Sequence, residues 1–169
     1  MGNKYSNYSI IRVTPTLDTD QYAQGDVLFT ATEIPLAVRG DAGCSKIICG
    51  WSLNQGIGSA DDIDLYFTEA NTALGTINAT ANISDANLEA IGLCGIGHID
   101  ASTGATSQLD NAEIHPILHK GTGVGSPMNM LIQAAAGSES VYVQGVLTSN
   151  TTPTFAADDL DLIFHIQYK

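Results

Sequence analysis

The 169-residue chain carries little charge and very little positive charge. Charged residues make up 14% of it, whereas an average globular domain has roughly 25%. Six Lys and Arg residues stand against 18 Asp and Glu residues, so the net charge is -12. A surface this acidic repels nucleic-acid backbones and anionic lipids. We therefore expect no direct binding to nucleic acid and none to membranes.

Long apolar runs and a disulfide framework are also missing. No run approaches the roughly 18 residues of a membrane-spanning helix, and no secretory signal is recognisable. The three cysteines, Cys44, Cys49 and Cys94, are an odd number for a disulfide framework. Cys44 and Cys49 should lie on opposite faces of one strand, because they are five residues apart. We expect three reduced thiols and assembly in a reducing, cytosolic environment.

Local signatures of catalysis and of metal binding are missing as well. The chain has no GxSxG or Walker motif. A calcium loop starting at Asp18 fails because Tyr22 and Ala23 occupy a ligand position and the glycine position. His115 and His119 would lie about 13 Å apart on a strand, too far for one metal ion. The chain is therefore expected to be no enzyme and to hold no cofactor. A calcium site between loops, a small enzyme and a calcium-dependent lectin remain alternatives.

The chain has instead an apolar periodicity of two, which is typical of strands. The segments with this pattern are 8–15, 26–34, 45–53, 62–69, 92–100, 112–120, 128–137, 140–149 and 159–168. One short helix is predicted over 83–92, with Ser84 or Asp85 as its N-cap. Pro116 suggests an edge strand, and the segment "AGSES" suggests a hairpin. The pattern predicts an all-β fold, an antiparallel β-sandwich or jelly-roll-like fold with about nine strands.

Two further features concern the organisation of the chain. Residues 1–7 are predicted to form an N-terminal arm, and 8–169 a single β-sandwich domain. Acidic residues cluster where strands begin, at Asp18, Asp20, Asp26, Asp158 and Asp159. Such residues favour turns because their side chains bond nearby backbone amides. Beside these turns, Tyr22 and Phe155 are expected to cover the ends of the core.

Most of the chain resembles a group of small proteins from marine tailed bacteriophages. The similarity runs through residues 13–39, 62–91 and 141–168. Its most specific parts are Tyr22-Ala23 with Gly25-Asp26, "LGTINATANISDANL" (74–88) and "TPTFAADDLDL" (152–162). Most members of the group carry no assigned activity. Their small size and β-sandwich character resemble those of capsid decoration, or cement, proteins.

The resemblance implies a virion structural protein on the outer capsid surface that clamps adjacent major capsid proteins. It also implies a homo-oligomer, a trimer in many cement proteins. Strand addition would supply the contacts, and the expected partner-interface residues are Gly2, Asn3, Lys4, Tyr5, Tyr8, His115 and Pro116. The alternative is a tail or tail-fibre-associated β-sandwich that binds host glycan, for which Trp51 and the tyrosines could supply aromatic surfaces.

Overall fold

The computed structural model describes residues 7–55, 61–101, 107–110, 112–121 and 126–169. These residues form ten β-strands and one α-helix. The strands are β1 (Tyr8–Val13), β2 (Val27–Ile34), β3 (Cys44–Asn54), β4 (Ile63–Thr68), β5 (Leu93–Ile99), β6 (Ser107–Leu109), β7 (Ala112–His119), β8 (Met130–Gln133), β9 (Val141–Leu147) and β10 (Leu160–Tyr168). The helix, α1 (Asp85–Ala90), lies between β4 and β5.

All ten strands belong to one antiparallel sheet. Its main path runs β1-β10-β3-β7-β5-β4-β9-β2, with β6 paired to β7 and β8 paired to β3. The sheet curls into a half-barrel, and the end strands β1 and β2 come into contact. Its concave side encloses the main core. The prediction of an all-β, antiparallel, sandwich-like fold with one short helix is confirmed.

Strand β3 forms a fork in the sheet. Its 11 residues pair with β10 along one side, while β8 and β7 share the other side. A β-bulge interrupts the β10 ladder, because Ile47 lies opposite Ile166 and Cys49 opposite His165, which leaves Ile48 as the extra residue. A bulge adds one residue to one strand and bends it.

The bulge changes which side of the sheet each cysteine faces. Ile47 and Gly50 are both buried and face the core, although they are three residues apart. Cys49 therefore faces outward, and so does Cys44, which is exposed. The prediction that the two lie on opposite faces was wrong, because alternation restarts after the bulge. All three cysteines are free.

Glycines bring two methionines close to the sheet. A Cβ on Gly95 would lie 2.9 Å from Met130 Sδ, and one on Gly50 would lie 3.2 Å from Met128 Sδ. Both methionines are buried. Their flexible thioether chains fill the space that the missing side chains leave. Phe67 and Phe164 meet edge to face beside them, with ring centroids 5.4 Å apart.

Tyr22 and Phe155 close one end of this core, as predicted. Both rings are buried, and they meet edge to face with centroids 5.9 Å apart. The neighbouring acids bond backbone amides: Asp26 accepts from Ala23 N, and Asp159 accepts from Ala156 N, each at 2.7 Å. Asp18 likewise accepts from Asp20 N at 3.1 Å. These acids are turn formers, in line with the interpretation of the sequence.

A second, smaller core lies on the convex side of β2, β9 and β4. Its buried members are Val27, Leu74, Ile91 and Val146. The covering segment, residues 70–92, includes α1, whose N-cap is Ser84. Buried Gln144 holds this segment to β9, because its side chain accepts from Leu74 N and donates to Thr72 O, both at 2.9 Å. This half of the sheet is therefore covered on both sides.

Two details of the predicted topology were wrong. Strand β7 is not an edge strand, because it pairs with β3 on one side and with β6 and β5 on the other. Pro116 lies between the residues paired to β6 and those paired to β5, and such an interval accommodates a residue without an N–H. The expected hairpin does not form either, because β8 pairs with β3 and β9 lies between β4 and β2.

Gly145 tests the packing of the concave core. Added to Gly145, a Cβ would overlap the Phe29 ring, with Cδ1 2.8 Å away. We expect Gly145→Ala to lower the free energy of unfolding by about 1–3 kcal/mol, the usual cost of overpacking. Phe29→Leu should reduce that cost in the double variant, because the two sites share one space. Denaturant unfolding measures both effects. Simple additivity of the two changes would contradict this account.

A substitution at Tyr22 tests how this residue closes the end of the core. Its hydroxyl donates to Leu28 O (3.0 Å) and accepts from Asp18 N (2.6 Å). At neutral pH, Tyr22→Phe should cost about 1–3 kcal/mol, because buried polar groups lose their partner. Burial also raises the Tyr22 pKa above its ordinary 10.0.

That shift gives the Tyr22 prediction a pH dependence. The folded protein holds the phenol proton more tightly than the unfolded chain does. The resulting stability is complete below pH 10 and is lost as the pH rises through the folded-state pKa. The stability difference between the wild type and Tyr22→Phe should therefore narrow above pH 10. Unfolding curves at a series of pH values measure this difference, and a widening gap would contradict the prediction.

Candidate interaction surface

The convex side of β1, β10, β3, β7 and β8 forms a surface that we call the open face. Cross-strand neighbours point to the same side of a sheet, and the register aligns Arg12, Ile163, Trp51 and Pro116 in one row. The next row contains Ile10, His165 and Cys49, and a third contains Tyr8, Gln167, Lys46 and Leu131.

Large apolar side chains are exposed on the open face. The exposed fractions are 67% for Ile10, 56% for Tyr8, 54% for Leu131 and 39% for Trp51. The convex side of β2, β9 and β4 differs, because segment 70–92 covers it. Contiguous exposed apolar surface rimmed by polar groups is typical of interaction sites. The open face is therefore our candidate functional site.

The open face carries few charged residues. Its strands contain two basic residues, Arg12 and Lys46. Glu113 on β7 contacts the buried His115 and lies on the interior side, so the one acid on the open face is Asp161. That acid is buried and is neutralised, because Arg12 Nη1 lies 3.3 Å from it and Thr14 donates to it. A third cation, Arg39, lies at the end of β10 and stacks on Tyr168 with its Cζ 4.4 Å from the ring centroid, but Tyr168 packs against the main core and not on the open face. The face is thus close to neutral on a protein of net charge -12.

Strand β1 adds an edge to this surface. In the described part of the chain it pairs with β10 alone. The ladder extends back to Asn7, whose carbonyl accepts from Tyr168 N at 2.9 Å. An edge strand presents backbone donors and acceptors to which another extended segment can pair.

The predicted interface residues have different outcomes. Tyr8 and Pro116 lie on the open face. Gly2, Asn3, Lys4 and Tyr5 lie outside the described residues. The prediction of His115 as an interface residue was wrong. His115 is only 3% exposed and faces the interior, because its neighbour Pro116 points outward and side chains alternate along a strand.

Ile10, Ile163 and Leu131 were missed as surface residues. "YSIIRV" offered a signal, because Ile10 and Ile11 are consecutive and must face opposite sides of a strand. An apolar residue on each side indicates that both sides meet apolar surroundings. Leu131 and Ile163 carry the same signal, because Leu131 precedes Ile132 and Ile163 stands between Leu162 and Phe164.

The convex side also carries an ionic cluster on β4 and β5. Asp64 is 3% exposed and accepts from Lys120, and its Oδ1 lies 2.8 Å from His98 Nδ1. The cluster pairs a buried carboxylate with the Lys120 ammonium and the His98 ring, as buried charges require partners. Among the residues that the structure describes, no group of three or more His, Cys, Asp or Glu side chains could hold a metal ion.

Two of the three cysteines, Cys49 and Cys94, are poorly placed for nucleophilic chemistry. Burial raises the pKa of both Cys49 and Cys94. A raised pKa keeps a thiol protonated at neutral pH, and the thiolate is the reactive form. Cys94 Sγ instead lies 3.6 Å from the Gln133 carbonyl. This arrangement is that of packing residues.

Comparison with known proteins does not assign the chain to a family. No known protein family matches the chain, and no curated protein is significantly similar to it. Within the described ranges, no helix is both long and apolar enough to cross a membrane.

Substitutions at two adjacent residues of β1 test which side chains of this strand face the core. Ile10 is 67% exposed, whereas Ile11 is partly buried and packs on the main core. We expect Ile10→Glu to change the free energy of unfolding by less than about 1 kcal/mol, as surface changes do. Ile11→Glu should cost about 3 kcal/mol or more, because a charge meets apolar surroundings. Thermal and denaturant unfolding distinguish them, and equal costs would refute the facing of β1.

Proposed function

We propose that this protein is a structural component of a phage virion, a capsid decoration (cement) protein that clamps adjacent major capsid proteins. The observation that carries the proposal is the open face, with strand β1 beside it, which pairs only with β10 among the described strands. The resemblance of 13–39, 62–91 and 141–168 to small marine-phage proteins supports it. The protein would act on the outer capsid surface, as a homo-oligomer such as a trimer and without catalysis.

The open face and the edge supply two different kinds of contact. Pairing along β1 would add backbone hydrogen bonds, which make few demands on side-chain identity. Ile10, Trp51 and Leu131 would add apolar burial, worth about 25 cal/mol per Å² removed from water. One subunit could therefore pair with a strand of one capsid protein through β1 while its open face packs on a neighbour. Such a subunit resists separation of the two.

Charge supports the choice of docking side. Most of the surface is acidic and would repel an acidic partner at short range. Around the open face, Arg12 and Lys46 outnumber the one carboxylate, which Arg12 already neutralises. Docking through this face removes few carboxylates from water, and burying unpaired charges is costly. The acidic surface would then point away from the capsid and keep the particle soluble.

The second candidate function is a tail or tail-fibre-associated module that binds host glycan. Trp51 favours it, since its ring is 39% exposed on a broad sheet face. Aromatic rings with one accessible face combine an apolar surface with a polar group. In this case Trp51, rather than Ile10 or the β1 edge, would dominate binding.

Copy number in purified particles tests the proposal first. The amount of this protein should equal that of the major capsid protein or be a simple fraction of it, because a lattice component repeats with the lattice. Quantitative mass spectrometry with isotope-labelled peptides measures the ratio. A ratio of a few copies per hundred capsid proteins would contradict a capsid-lattice role and favour the tail.

Rebinding to capsids locates the contact. Wild type, Ile10→Glu and Leu88→Glu would each be mixed with particles that lack the protein, and bound protein measured after sedimentation. Leu88 lies on α1, away from the open face, and is 47% exposed, so Leu88→Glu is the matched control. We expect the control to bind like wild type and Ile10→Glu to bind at least tenfold more weakly. Equal binding by all three would overturn the docking side.

A further inference from the structure

A small cavity with a mainly apolar lining lies at the end of the core beside Phe155. Four polar residues contribute to its lining: Ser52, Asn54, Asp61 and His115. It has about 10 Å³ of space for the centre of a water-sized molecule. That space accommodates a single water, which needs roughly 10–15 Å³ by the same measure.

His115 presents a hydrogen-bond acceptor in this region. Its side chain is 4% exposed, and its Nε2 lies 3.3 Å from Glu113 Oε2. An ionised carboxylate only accepts, so Nε2 must donate its hydrogen. In the neutral ring, Nδ1 is then an acceptor. Nδ1 is buried and has no hydrogen-bond partner among the described residues.

Asp61 presents a second acceptor. It is 5% exposed, and its Oδ1 accepts from Thr151 Oγ1 and from Ser149 Oγ, the latter at 3.4 Å. Its Oδ2 is buried and, like His115 Nδ1, lacks a partner within the described part of the chain. Each such buried atom destabilises the folded protein when it stays unsatisfied. Two acceptors cannot satisfy each other.

We propose that this cavity is a binding site for one ordered water molecule that donates one hydrogen to Asp61 Oδ2 and the other to His115 Nδ1. Water is a small neutral molecule with two donors, and it matches two unsatisfied acceptors that belong to residues lining one water-sized cavity. The bridge links β7 to the segment that leads into β4. It is independent of the proposed capsid role.

A high-resolution crystal structure of the wild-type protein, grown in rubidium chloride, tests the site. We expect one density peak within hydrogen-bonding distance of both atoms and without anomalous signal. Rubidium anomalous scattering at the peak would overturn the proposal in favour of a monovalent cation. A direct bond between Asp61 and His115, with no peak, would overturn it as well.

Solution measurements on the same protein test the protonation pattern. Nitrogen NMR of His115 at neutral pH should show Nε2 protonated and Nδ1 unprotonated. A proton on Nδ1 would overturn the proposal, because the ring would then be a donor there. The variants Asp61→Asn, His115→Gln and their combination should be non-additive in unfolding free energy, since one water joins the two sites. Additivity within error would count against the bridge.

Discussion

The fold depends on the fork at β3. One side of this strand pairs with β10. The other side pairs with β8 in the first part of the strand and with β7 in the last part. Without the extra residue at Ile48, every residue beyond it would face the wrong side, because a one-residue slip inverts the alternation. Gly50 and Ser52 would then leave the core, and Trp51 would enter it. The bulge therefore sets both the packing against Met128 and the composition of the open face.

The two halves of the sheet differ in whether their convex side is covered. On the β2-β9-β4 half, the segment with Leu74 and Ile91 forms a second apolar layer, and Gln144 satisfies the backbone groups that this layer buries. The other half keeps its convex side exposed although Ile10 and Trp51 are apolar. Leaving apolar area in water has a cost that folding alone does not require. The asymmetry is the physical basis for placing a partner on the open face.

Sequence patterns predicted the local structure well and the long-range structure poorly. Alternation located nine of the strands, Ser84 capped the helix, and Tyr22 with Phe155 covered the core end. Each of these rests on interactions between nearby residues or on simple burial. The three-residue strand β6 is too short to carry a period and was not predicted.

Sequence patterns did not predict which strands pair with each other. Pro116 suggested an edge strand, but β7 changes its pairing partner around this residue. The hairpin expected at "AGSES" does not form, because β8 pairs with β3. The facing of Cys49 depended on a bulge without a glycine signal. For the same reason the candidate surface was only partly predicted: Tyr8 and Pro116 lie on it, whereas His115 is buried and Ile10 emerged from strand register. The cavity at His115 needs residues from five separate segments, which no sequence period brings together.

The uneven placement of charge gives the molecule an electric dipole. Its negative end is the acidic remainder of the surface, and its opposite end is the side with Arg12 and Lys46. Beside another acidic surface such a dipole would feel a torque before any contact forms, within the Debye length of about 8 Å at physiological salt. That torque would turn the open face toward the other surface. The carboxylates on the opposite side would at the same time repel those of a second copy, which opposes aggregation.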